Sequence, residues 1–318
     1  MNPYTGTDFF SFFGVLFSRL FSWSSSIATD EIQLLVLIGV GLSSALIGTF
    51  LVLKQMTMLA NSLSHTLLLG IVAAYLITGS GLVGSLGLTS LLIASLITAL
   101  CTSLLTQFLT GSGKLQEDAS IGIVFTTLFA IGVVLVTLFT RNAHIGTEMV
   151  MGNSDALHVD DIWLTYAVLL LNGALITLFF KEFKITAFDP GLARSSGIST
   201  NFFNYLLMIL IALTAIVVFR AVGLVLVLAF FVGPPLIARE LTHRLAPLLF
   251  ISMGTAAVCA LLSVALSRHV LTVYQAPFST GAILVTLIGL FYFTLILIKR
   301  LYKRGLMKKS VSVTIPNN

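Results

Sequence analysis

From Ile32 to Leu53 the chain runs for 22 residues without a charged side chain, and this run constrains the fold more than any other feature. At ~1.5 Å of rise per residue it spans the ~30 Å hydrocarbon core of a bilayer as a helix, which satisfies its own backbone donors and acceptors in lipid. Comparable runs recur at about 58–78, 82–109, 119–140, 162–180, 202–219, 221–238, 247–266 and 280–298. The expected fold is an all-α, polytopic bundle of about nine transmembrane helices. The count becomes ten if Phe9–Trp23 crosses and eight if the short seventh run does not cross fully. With 57% hydrophobic and 9% charged residues, the chain is too apolar for a soluble domain of its length.

Three stretches follow. Residues 1–30 hold an aromatic segment, Phe9 to Trp23, that is broken by Arg19 and short for a span; it reads as an interfacial helix with Arg19 and Trp23 near the headgroups. Residues 31–300 form the transmembrane domain, and 301–318 form a basic tail. Cys101 and Cys259 each lie inside an apolar run, as small hydrophobes do. The net charge of +5 arises from basic residues at the ends of apolar segments, which is the pattern of membrane orientation and not of nucleic-acid binding. If the connection at 181–200 is cytoplasmic, thirteen Lys and Arg fall on that side, including Lys54, Lys114, Arg239, Arg244 and the tail; four fall opposite, Arg19, Arg141, Arg220 and Arg268. The C-terminus is then cytoplasmic. No Gly-rich loop of the Walker type is present, so ATP chemistry is not expected in this chain.

Against this background, polar residues inside spans stand out. In the second span Asn61, Ser64 and His65 share one helical face. His65 lies roughly 16 Å above Lys54, near the middle of the core. Polar groups at that depth are costly and face a bundle interior or a water-filled path. An amide oxygen, a hydroxyl and an imidazole there can pass a divalent cation across the bilayer; equally, they can tie two helices together through hydrogen bonds.

Two more segments carry organisation. In the 181–200 connection, Asp189 at an N-cap and Pro190 at the first helical position start a short helix that Gly197 stops, with Phe188 and Leu192 exposed as a docking peg for a soluble partner. The alternative is an ordinary amphipathic connector. In the seventh run, Gly223, Gly233, Pro234 and Pro235 mark a broken or hinged helix, and the double proline is expected to bend or end it about a turn before Arg239. Glu117 and Asp118 sit where they favour the positive N-terminal end of the fourth span. His144 and Glu148, four apart in the polar loop 141–161, are loose metal-ligand candidates, more simply read as a solvated loop touching a partner.

Taken in order, Leu53-Lys-Gln-Met56, Asn61-Ser-Leu-Ser-His65 with Gly70, Glu117-Asp-Ala-Ser-Ile-Gly-Ile123, Gly152, Ala187-Phe-Asp-Pro190 with Ala193 and Gly197, Ala221-Val-Gly223, Pro234-Pro235 and Ala238-Arg239 resemble the permease subunit of bacterial metal-ion ABC importers for manganese, zinc or iron. The likeness covers essentially residues 30–300. It implies a type II ABC importer-like permease in the inner membrane that pairs with a second copy or a sister permease. Two cytoplasmic ATPase subunits would seat on a coupling helix at about 187–197, and an extracytoplasmic metal-binding protein would dock on the outer loops. The metal is cargo, and no permanently bound cofactor is implied. The family pattern Asp-Ala-x-Ser-His-x-x-x-Pro-Gly falls on Asn61, Ser62, Ser64, His65, Leu69 and Gly70. Asn61 replaces the family acid and Leu69 the family proline, so the path would rest on His65 with a neutral amide, and a partner permease would supply the carboxylate. Glu117 and Asp118 match the family's Glu-Asp pair, with a gating role at the exit as one reading. Two other classes remain: a secondary transporter or channel, which needs no ATPase, and an integral membrane enzyme, for which only His65 qualifies as a site residue; within the importer class the nearest competitor is a permease for a larger chelate such as haem, cobalamin or a siderophore.

Overall fold

The computed structural model describes residues 3–21, 27–78, 88–113, 115–139, 157–223, 226–276 and 278–313. Its elements are α1 (Phe9–Phe21), α2 (Thr29–Leu53), α3 (Thr57–Thr78), α4 (Leu88–Ser112), α5 (Glu117–Phe139), α6 (Val159–Leu178), α7 (Phe180–Phe188), α8 (Pro190–Ser195), α9 (Thr200–Val222), α10 (Val227–Leu241), α11 (Leu245–Tyr274) and α12 (Thr280–Val313). No strand occurs among the described residues. Among the described residues six helices, α2, α5, α6, α9, α11 and α12, are long and apolar enough to cross a membrane; α3, α4 and α10 run beside them. Helix α1, at 13 residues, is shorter than the ~20 a span requires. The candidate ligands His144 and Glu148, with Trp23, Arg141 and Gly152, lie outside the described residues.

Helix α2 is the mast of the bundle. Its most apolar stretch is 83% buried, against 17% for α5 and for α12, and it packs on α6, α9, α10 and α11. Glycines let these neighbours come close: a Cβ on Gly41 would sit 3.3 Å from that of Ala256 in α11. At Gly48 the approach is tighter still, because a Cβ would run into the carbonyl oxygen of Phe231 in α10 and lie 2.8 Å from its carbon. Phe231 is four residues before Pro235, which has no N–H to bond that carbonyl, so the freed oxygen turns to the Gly48 backbone. The double proline does not end α10; the helix runs through Pro234 and Pro235 to Leu241. Both rings are buried against neighbours, and this packing holds the helix across two missing donors.

Polar ties inside the bundle complete the frame. Asn172 of α6, fully buried, donates to Ser43 Oγ in α2 and Thr214 Oγ1 in α9, both at 2.7 Å. Such bonds between membrane helices average ~0.6 kcal/mol, so they fix register more than they add stability. At one end of the mast, which we call the Lys54 face, Lys54 Nζ donates to Asn204 Oδ1 at the start of α9 (2.6 Å). Gln55 takes φ +61° to close the α2–α3 turn, and the Met56 N–H caps Leu51.

The opposite, Asp30 face is held by charge. Asp30 of α2, its side chain 1% exposed, pairs with Arg268 of α11 beside a cavity of about 290 Å³ that Gln33 and Ser267 also line. Helix α1 is strapped across this end: Arg19 meets Glu31 at 2.5 Å, Tyr4 donates to the same carboxylate at 2.8 Å, and the Phe9 N–H donates to His269 Nδ1 at 3.3 Å. Burial and the adjacent Glu31 raise the Tyr4 phenol above its ordinary pKa, so it stays a neutral donor at physiological pH.

Candidate functional site

The mid-membrane polar group sits on α3. Here the helix starts just after the tight Gln55 turn, so Asn61, Ser64 and His65 occupy its second and third turns above the Lys54 face. Asn61 and His65 are both partly exposed. The imidazole of His65 lies against two rings of α5, Phe125 at 5.2 Å and Phe129 at 5.4 Å between centroids, and these two rings stack on each other at 5.9 Å. Its Nδ1 is buried and has no hydrogen-bond partner among the described residues. The interhelical-bond reading is therefore not what holds this imidazole. The polar tie from α3 runs elsewhere: Thr102 of α4 donates to Thr66 at 3.0 Å.

Leu69, where the resemblance expects proline, lies at a close crossing with α5, since a Cβ on Gly132 would sit 3.3 Å from the Leu69 Cα. The α3–α5 pair thus presents one imidazole, walled by aromatics, with an amide one turn below. Among the described residues no three His, Cys, Asp or Glu gather as a closed metal cage. An unpartnered nitrogen and an amide oxygen are too few ligands for a deep well, so they suit passage of a cation better than retention.

Asp118 is exposed in the first turn of α5, where its charge favours the helix N-terminus; Glu117 begins the same helix. The two are on the Lys54 face, away from His65. Gly223 caps α9 with φ 85° and ψ 168°, a region essentially reserved for glycine. Gly233 in α10 abuts Ile288 of α12, and Pro234 and Pro235 follow it, so the four hinge candidates lie along one segment between α9 and α12.

The connector on the Lys54 face is built from local chemistry. The Asp189 side chain accepts the Leu192 N–H at 2.9 Å, Pro190 opens α8, and Gly197 at φ +78° closes it. The Gly197 N–H bonds Arg194 O at 3.1 Å and the Ile198 N–H bonds Ala193 O at 2.9 Å, the paired bonds of a Schellman close. Ala193 is fully buried, while Phe188 and Leu192 are 56% and 54% exposed. Phe188 and Leu192 thus point outward, whereas Ala193, read from sequence as part of the same ATPase-coupling segment, packs inward.

Sequence reading missed what anchors this peg. Helix α7, just before it, buries Phe183 completely, and that ring meets Phe50 of α2 at 5.4 Å and Phe203 of α9 at 5.3 Å. Phe183 therefore ties α7, and with it α8, to the mast. The only signal in the sequence was the phenylalanine spacing Phe179, Phe180, Phe183, which the charges of Lys181, Glu182 and Lys184 obscure.

A many-helix membrane bundle with a capped external helix on one face and a lone mid-depth imidazole has the form of a transport permease. The chain belongs to the ABC 3 transport family, which it matches over residues 31–299, and the resemblance to metal-importer permeases is borne out. It is 40% identical over 295 residues, 92% of this chain and 93% of the relative, to a probable metal transport system membrane protein of Chlamydia muridarum. It is 43% identical over 226 residues, 67% of this chain and 75% of the relative, to the manganese transport system membrane protein MntD of Bacillus subtilis. The fold is like that of a chain in the Streptococcus pneumoniae PsaBC structure with Fab, at TM-score 0.72 and 22% identity, covering 88% of this chain and 95% of that one.

Proposed function

We propose that the chain is the permease subunit of an ATP-driven importer that carries a divalent transition-metal ion, manganese, iron or zinc, across the bacterial inner membrane. Family membership, with a Bacillus relative named for manganese transport, is the observation that carries this reading. ATP is hydrolysed in two separate cytoplasmic subunits. The Lys54 face is cytoplasmic, as the excess of basic ends on that side supports, and a metal-capture protein docks on the Asp30 face. A second permease, identical or a sister, faces this one; Asn61 leaves that partner to supply any carboxylate.

The cation passes His65 with Asn61 and Ser64 as neutral oxygen donors. Neutral oxygens and one nitrogen hold a divalent ion less tightly than a carboxylate set, so it can leave as well as enter. Closure of the ATPases drives Phe188 and Leu192, and the motion enters the bundle through Phe183. Gly223 and the Gly233–Pro235 segment accommodate it, while Glu117 and Asp118 draw the ion out at the cytoplasmic end.

Replacing Phe188 and Leu192 together by aspartate tests the docking role. Both side chains are exposed in the isolated chain, so the permease itself should fold normally. The ATPase should fail to co-purify, or should hydrolyse ATP without transport. Full coupling in the double variant would remove α8 as the docking peg.

A further inference from the structure

On the Lys54-face half of the bundle, α10, α11 and α12 enclose an open groove of about 640 Å³ between Leu241, Gly254, Val258, Phe291 and Ile298. Its walls are almost wholly apolar, and several of these side chains are more than a third exposed, Leu241 at 54%, Val258 at 52% and Ile298 at 65%. Among its lining residues Gly254 is open, for a Cβ there would meet nothing within 4 Å. The groove ends at a polar rim. Lys299 lines that rim and donates to the carbonyl and the carboxylate of Glu240, the latter at 3.0 Å, which pins α12 to the end of α10. Arg239 near the end of α10, Arg244 just before α11 and Arg300 next to Lys299 are all exposed. One of the four cations is neutralised by Glu240, and three positive charges remain.

We propose that this groove is a binding site for an anionic phospholipid, with an acyl chain between α10, α11 and α12 and the phosphate against Arg244 and Arg300. Shape and charge carry the assignment together. A dry groove open to the membrane takes hydrocarbon, and a basic rim at the headgroup level selects a negatively charged head over a zwitterionic one. The α12 helix continues past the rim to Val313 and carries Lys303, Arg304, Lys308 and Lys309 in its sequence. Because α10 carries Gly233, Pro234 and Pro235, a lipid wedged beside it would set how freely that segment moves against α12.

Delipidated permease–ATPase complex, re-supplied with phosphatidylglycerol or phosphatidylcholine, is examined by native mass spectrometry for retained lipid. Phosphatidylglycerol should be held roughly 30-fold more tightly, as two basic contacts of ~1 kcal/mol each imply. Gly254→Leu, whose Cβ enters open space, should expel either lipid. Arg244→Ser with Arg300→Ser should abolish the preference while keeping the chain contact; Lys299 is left intact so that α10 stays pinned. Equal retention of the two lipids by the unaltered protein, or undiminished binding in Gly254→Leu, overturns the proposal. So does efficient disulfide cross-linking of two permease chains through Val258→Cys, which assigns the groove to a second copy.

Discussion

His65→Ala is expected to abolish metal accumulation in vesicles while the permease still assembles with its ATPase. In the proposed path the imidazole is the nitrogen donor at mid-depth on α3, and loss of a group that merely supports a metal ligand already costs 10–100-fold, so loss of the ligand should exceed ~100-fold. Packing does not confound the result. His65 is only partly buried, and its Nδ1 makes no hydrogen bond to any described residue; what the fold loses is contact with Phe125 and Phe129. His65→Phe separates the two roles, because it keeps an aromatic ring against those side chains and removes the nitrogens. Uptake should be as low in His65→Phe as in His65→Ala. Normal uptake in the phenylalanine variant would reduce His65 to a packing residue.

Gly48→Ala should cause the largest loss of stability of any alanine substitution at the described glycines. The added Cβ meets the backbone carbonyl of Phe231, so no rotamer change relieves it; α10 itself must move off the mast. Overpacking ordinarily costs 1–3 kcal/mol, and with a backbone as the obstacle the cost should reach about 3 kcal/mol or more. Thermal unfolding in detergent should show Gly48→Ala unfolded or far less stable than the parent. Gly254→Ala, whose Cβ meets nothing within 4 Å, should be nearly silent in the same assay. Equal stability of the two variants would mean that α2 and α10 do not approach through Gly48.

These contrasts show which parts of the structure a single sequence discloses. The helix α8 was legible because its cause is local: Asp189, Pro190 and Gly197 act within one or two turns, and the exposed Phe188 and Leu192 follow from them. The spans were legible because lipid imposes length and apolarity on each separately. Long-range contacts were not. The prolines at 234–235 were expected to bend or end their helix; they do not end it, because tertiary packing carries α10 on to Leu241. The meeting of Phe183 with Phe50 and Phe203 depends on three distant segments. Asn172 reads in sequence as one polar residue in an apolar run, and only the assembled bundle gives it Ser43 and Thr214.

Within the site, the face shared by Asn61, Ser64 and His65 follows from helix periodicity alone. What surrounds that face does not. The pairing of α3 with α5, and therefore the aromatic wall of Phe125 and Phe129, has no counterpart in local pattern, since phenylalanines four apart occur in many apolar helices. The polar tie through Thr66 and Thr102 was hidden for the same reason: threonine on a membrane helix ordinarily bonds its own backbone, and Thr102 also does so.

The most direct test is metal flux through the purified permease in proteoliposomes, with the ATPase subunits present or omitted and with ATP or a non-hydrolysable analogue. Manganese should accumulate only when the ATPase and hydrolysable ATP are both supplied, and His65→Ala should stop accumulation without stopping assembly. Equal manganese flux with no ATPase present would contradict an ATP-driven permease and make the chain a channel or a secondary transporter.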